Sequence, residues 1–150
     1  MAESDAKGKD TSGKGKAFFD RADQVAETGN WDFAIEMYLQ GIEREPENLE
    51  RGHKPLRAVG LRRKASGGKS PGMVEQMKRR PGKDATQNLL NAEYLLAKEP
   101  GSLQYMDRAY QAARKLELDE VALWLADVII DSQKGQEKPN KQVFARLTED

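Results

Sequence analysis

At 150 residues and 16.8 kDa the chain suits one domain or a piece of a larger one, and its mean hydropathy of −0.84 favours a thin helical array over a compact enzyme core. Cysteine is absent and histidine occurs once, as His53, which excludes disulfides, thiolate metal sites and histidine-clustered metal centres. Lys plus Arg and Asp plus Glu balance at 25 each, so the net charge is zero, but the two signs are unevenly distributed along the chain.

Residues 1–14 are Lys, Gly, Ser and Asp with almost nothing to bury, and are expected to form a disordered tail. A basic arm for nucleic acid is the alternative, weakened by the interspersed acids. The segment has no apolar core of the signal-peptide kind. The longest apolar run, residues 121–130, contains Asp127 and is too short to cross a membrane. Those features lead us to expect a soluble, intracellular, cytoplasmic protein with no membrane partner.

Residues 15–48 (GKAFFDRADQVAETGNWDFAIEMYLQGIEREPEN) carry the strongest pattern in the chain. Phe18, Ala22 and Val25, then Ala34, Ile35, Tyr38 and Ile42, fall at spacings that put one apolar stripe on each of two helices. Gly29 supplies the left-handed turn between them, and Glu45-Pro46 closes the second helix, because the residue before proline is pushed out of helical geometry.

This stretch resembles a tetratricopeptide repeat, a helix-turn-helix unit of 34 residues. Phe18 takes the early aromatic position, Ala22 the small position and Val25 the next large one. Gly29 takes the turn glycine, Trp31 the aromatic after it, Ala34 the small residue of the second helix, Tyr38 its aromatic, Gly41 the next small position and Pro46 the closing proline. Ala22 and Gly41 exchange the family's usual glycine and alanine. The resemblance implies an all-α fold of antiparallel helical hairpins stacked as a short right-handed solenoid, binding a protein or peptide along a groove built from first helices. By position, the groove residues are Lys16, Phe19, Asp20, Asp23, Ala26 and Glu27. The subset of the family that grips a C-terminal carboxylate uses Lys and Asn where this chain has Phe19 and Asp23, so that clamp is not implied.

Residues 49–100 are read as a divergent second repeat. Its first helix runs to Lys64 with Pro55 in the first turn and Leu56, Val59, Gly60 and Leu61 on one face. A basic, flexible insert lies near residues 65–83. Within it, ASGGKSPG is a loop by composition, and Gly68-Lys69-Ser70 lacks a phosphate loop's first glycine, because position 63 is Arg. MVEQMKRR makes about two helical turns with Met73, Val74 and Met77 on one side, ended by Pro81-Gly82. Asp84 caps the second helix, in which Leu89, Ala92, Leu95 and Leu96 repeat at helical spacing. Residues 101–134 form a further tetratricopeptide-like hairpin without the turn glycine. Ser102 and Asp119 are its expected caps, and Met106, Ala109, Tyr110, Val121, Ala122, Trp124 and Leu125 are among its buried positions. Residues 135–150 are a linker and the start of another helix (Val143, Phe144, Leu147), either the first half of a continuing repeat or a terminal cap.

No constellation for chemistry emerges: we expect no catalytic residues, no cofactor and no metal, and acid pairs such as Glu43 with Glu45 or Glu117 with Glu120 read as solvated charges. The charge pattern stands out more. Between Arg51 and Lys83, eleven Lys or Arg face a single acid, Glu75, so the rest of the chain carries a net of −10. The residues concerned include Arg51, Lys54, Arg57, Arg62, Arg63, Lys64, Lys78, Arg79 and Arg80. Three readings are open: a basic insert that neutralises acidic repeat surfaces, a patch for an acidic protein partner, or a patch for a nucleic-acid backbone. Aromatic residues that stack on bases are missing from the stretch, which weakens the last. The expected function is a protein-interaction scaffold. The alternatives are a nucleic-acid-associated factor and an accessory domain of a longer enzyme.

Overall fold

A computed structural model describes residues 11–135; the expectations for the N-terminal ten residues and for residues 136–150, with the helix through Val143, Phe144 and Leu147, lie outside the described residues. The described chain is all-α. It runs α1 (Lys16–Glu27), α2 (Trp31–Arg44), a π-helical turn (Leu49–His53), α3 (Lys54–Ala65), α4 (Met73–Lys78), α5 (Ala85–Lys98), α6 (Leu103–Lys115) and α7 (Asp119–Lys134), with no strand among the described residues. Three-residue turns fold α1 back on α2 and α6 back on α7, while α3 packs between α2 and α5, and α5 carries α6. Apart from α4, each helix thus lies mainly against the helices before and after it in the chain, as in a repeat array. One apolar core runs the length of the stack, from Phe19 through Ile42, Leu56 and Leu89 to Met106, Leu125 and Ile129.

Local chemistry explains the boundaries. Asn30 caps α2 by accepting from the Phe33 N–H, and Gly29 adopts φ +81° in the turn as its spacing required. Asp84 accepts from the Thr86 and Gln87 N–H groups, and Ser102 from that of Tyr105. Asp119 is not a cap. It is the first residue of α7, where its charge favours the positive end of the helix dipole, and Glu117 takes the turn at φ 59° in place of the missing glycine.

The buried stripe of α1 differs from the expected one by one residue. Gly15, Phe19, Ala22 and Ala26 face inward; Phe18 is only half-buried, under the Arg44 guanidinium at 4.2 Å. Phe19 is therefore core rather than groove, and so is Ala26. The reason is space: the Phe19 ring fills the volume that side chains would occupy at Gly15, Gly41 and Gly52, with a Cβ at Gly41 only 2.3 Å from the ring. Val25 packs at the core margin, Ala34 and Tyr38 are buried, and Trp31 and Trp124 are half-covered. On α3 the inward row is Leu56, Val59, Gly60 and Arg63. Leu61 points outward at 49% exposure, because five residues from Leu56 is the far side of a helix.

Gly60 marks the closest approach of two helices. A Cβ there would stand 2.6 Å from the Ala97 carbonyl oxygen and 2.9 Å from its Cα, atoms that belong to the α5 backbone. Gly60→Ala is expected to destabilise by about 1–3 kcal/mol, although Gly→Ala in an unhindered helix interior stabilises by about 1 kcal/mol. A thermal melt of this variant beside Gly101→Ala, where no heavy atom lies within 4 Å, checks the sign. Equal melting temperatures disprove the close approach.

Candidate functional site

Three surfaces carry the candidate residues. The first is the exposed row of α1, in which Lys16, Asp20, Asp23 and Glu27 recur at helical spacing. Its centre is an ion cluster. Lys16 Nζ lies 2.7 Å from Asp20, and one Arg51 nitrogen reaches Asp20 Oδ1 at 2.9 Å and Asp23 Oδ2 at 3.0 Å. Tyr38 Oη donates to Asp23 Oδ1. Lys16 and then Arg51 hold the Asp20 carboxyl below its ordinary range, while burial and the Asp23 carboxylate push the Tyr38 phenol up. The cluster ties α1 to α2 and to the π-helical turn, and its side chains stay about half-exposed, with Glu27 exposed beside them.

The second surface is the basic stretch, which the fold divides. Its first half is laced into the hairpins. Arg51 is paired as above, Lys54 meets Glu50 at 2.8 Å, and Arg57 donates to the Pro100 carbonyl at 3.1 Å. Arg62 stacks on Trp31 at 4.7 Å, and Lys64 shares Glu99 with Ser70. Arg63 is 8% exposed, bonded to Asp32 Oδ1 at 2.9 Å and to the Lys69 carbonyl. The one-sided charge of this segment thus has a structural destination: its cations neutralise acids of α1, α2 and the π-helical turn, and Glu99 at the end of α5. The second half is open. Arg79 lies on the Tyr94 ring at 3.6 Å, while Lys78 and Arg80 are exposed, Arg80 donating to the Met77 carbonyl at 2.9 Å.

The third surface was not legible in the sequence. An open cleft of about 700 Å3 lies between the end of α2 and the α6–α7 turn, with Glu43, Glu47, Glu117, Asp119 and Glu120 around it and Lys14 and Arg44 on its rim. Acids that look scattered and solvated along the chain converge here because the two hairpin ends are neighbours. Glu45 does not join them. It is 6% exposed, and its carboxylate accepts from the Gly15 N–H at 3.0 Å and from Asn48 at 2.9 Å, closing the start of α1.

His53 is a second buried ionisable group. It sits at the end of the π-helical turn, fully buried, with Nε2 donating to the Pro46 carbonyl at 2.7 Å and Nδ1 at 2.7 Å from Glu93 Oε2. Neither of those last two atoms has another partner, so each depends on the other to offset its burial. Burial pushes the imidazole pKa down, but the Glu93 carboxylate and the Pro46 carbonyl outweigh it and the net direction is up. A lone acid inside the apolar run LLNAEYLLA was the sequence signal for this pair.

Among the described residues no helix is long and apolar enough to cross a membrane, and no cluster of His, Asp and Glu with metal-ligand geometry occurs. Comparison with protein-family models, with curated proteins and with solved structures finds no match to the chain.

Proposed function

We propose that the protein is a non-enzymatic, tetratricopeptide-like scaffold that docks a partner protein or peptide on its helical-hairpin surface. The observation that carries this reading is the packing of consecutive antiparallel hairpins, whose first member has the turn glycine, the small buried Ala22 and Ala34 and the buried Tyr38 of such a repeat. Arrays of this build offer long exposed rows of mixed charge, and α1 supplies one in Lys16, Asp20, Asp23 and Glu27. The arrangement of the cations argues against the nucleic-acid alternative. Most of Arg51 to Lys64 is engaged by acids, carbonyls and Trp31 of the same molecule, which leaves few cations for a phosphate backbone.

Two measurements test the reading together. Labelled single-stranded RNA and duplex DNA should show no binding in a gel shift at low salt, where phosphate contacts are strongest. Affinity capture with the wild-type chain and with Lys16→Ala/Glu27→Ala should retain a defined set of proteins that the variant loses. Tight, salt-sensitive nucleic-acid binding, or capture indifferent to the α1 row, overturns the proposal.

A further inference from the structure

Helix α4 is inside out. At helical spacing Glu75 and Arg79 share one side, and that side faces the protein. Glu75 accepts from Tyr94 Oη and from Lys98 Nζ at 3.1 Å, and Arg79 covers the Tyr94 ring while its carbonyl accepts from Arg108. Tyr94 first, with the Gly72 N–H and Lys98, draws the Glu75 pKa down to about 2, so the tether stays charged at all ordinary pH. The opposite side carries Met73, Val74 and Met77 at 79%, 68% and 59% exposure. A short amphipathic helix normally buries its apolar side; here polar bonds hold it with that side outward.

The charges around the apolar patch say what covers it. On the helical wheel Lys78 borders Val74, Arg80 just past the end of α4 folds back to donate to the Met77 carbonyl at 2.9 Å, and Lys69 and Lys83 lie in the segments that bracket the helix. None of these four cations meets an acid among the described residues, in contrast to Arg51, Lys54, Arg63 and Lys64. We propose that the outward face of α4 docks an acidic peptide segment of a partner protein, with a large apolar side chain seated on Met73, Val74 and Met77 and flanking carboxylates on Lys78 and Arg80. Docking there presupposes the scaffold reading and adds the partner's chemistry to it. Methionines suit such a surface because their unbranched, polarisable side chains adapt to the group that lands on them. A second copy of α4 is a poor occupant, since two-fold pairing sets cations against cations. A nucleic-acid backbone would place phosphates against methyl groups. One apolar helical turn without an aromatic is a weak membrane anchor.

Selection of displayed random dodecapeptides on the full chain tests this, with Met73→Ser/Met77→Ser and Lys78→Glu/Arg80→Glu as comparison variants. All four positions are exposed or nearly so, and an unchanged helical signal and melting temperature show that the variants are folded. The expected pool combines Asp or Glu with Leu, Ile, Phe or Trp. Individual peptides should lose about tenfold or more in affinity on either variant, and should weaken as NaCl rises from about 50 to about 300 mM. Failure to enrich peptides, a pool without acids, or equal binding to the variants overturns the proposal. So does binding confined to vesicles containing phosphatidylserine, which assigns the face to lipid, or sedimentation showing self-association that the variants abolish. Any of these, with capture through the α1 row intact, removes the α4 assignment and leaves the scaffold reading standing.

Discussion

Glu93→Leu is expected to destabilise the protein by about 3–5 kcal/mol, because it leaves a buried imidazole without the charge that offsets its desolvation. His53 is 0% exposed and Glu93 4%, and the pair joins the π-helical turn to α5, the helix at the centre of the stack. The second half of the prediction is its repair. His53→Leu/Glu93→Leu should recover most of the loss, since replacing both members of a buried ion pair by apolar groups is often neutral, whereas removing one is not. Chemical denaturation of the wild type, both single variants and the double variant measures the coupling. An additive double variant shows that the pair does not interact.

The same pair sets a pH dependence. The folded pKa of His53 lies above its unfolded value of about 6.5. A raised pKa contributes stability that is fully present below the unfolded value and is lost as pH rises through the folded one. The denaturation midpoint should therefore fall between neutral and alkaline pH, and Glu93→Leu should flatten that fall. A wild-type midpoint that climbs over this range would show that the imidazole is buried neutral.

Ala34→Asp is expected to unfold the array outright. Ala34 is fully buried on α2, facing α1 across the first hairpin, where a carboxylate finds neither room nor a partner. Burying an unpaired charge costs several kcal/mol, against a total stability of about 5–15 kcal/mol for an ordinary domain. Circular dichroism should show loss of most helical signal at room temperature. The control is Ala17→Asp, an exposed position in the first turn of α1 where an acid favours the helix dipole and the fold should persist. Equal helicity and melting temperature in the two variants would place Ala34 outside the core and break the hairpin assignment.

Positions that depend on residues close in the chain were legible in the sequence. Gly29 takes the left-handed turn, Asp84 and Ser102 stand at the starts of their helices, and Pro46 follows the end of α2, because capping and proline sterics act within a few residues. Ala22, Ala34 and Tyr38 were identified as buried from periodicity alone. Phe18 and Phe19 were not told apart, since adjacent phenylalanines serve equally well in a hydrophobic stripe. The vacancy left by Gly15, Gly41 and Gly52, which come together only in space, selects Phe19.

Charge shows the same division. Composition and order alone determined that a helical chain would carry a one-sided basic stretch among acidic neighbours, because helix periodicity and net charge are local sums. They did not determine which cations are free. Asp20, Asp23, Asp32 and Glu99 claim Arg51, Arg63 and Lys64 across 28 to 35 residues of chain. The meeting of His53 with Glu93, and the turning of α4 so that Met73, Val74 and Met77 face water, are likewise products of packing. In each case the deciding energy is a contact between elements distant in sequence, and only the tertiary structure brings those groups within reach of each other.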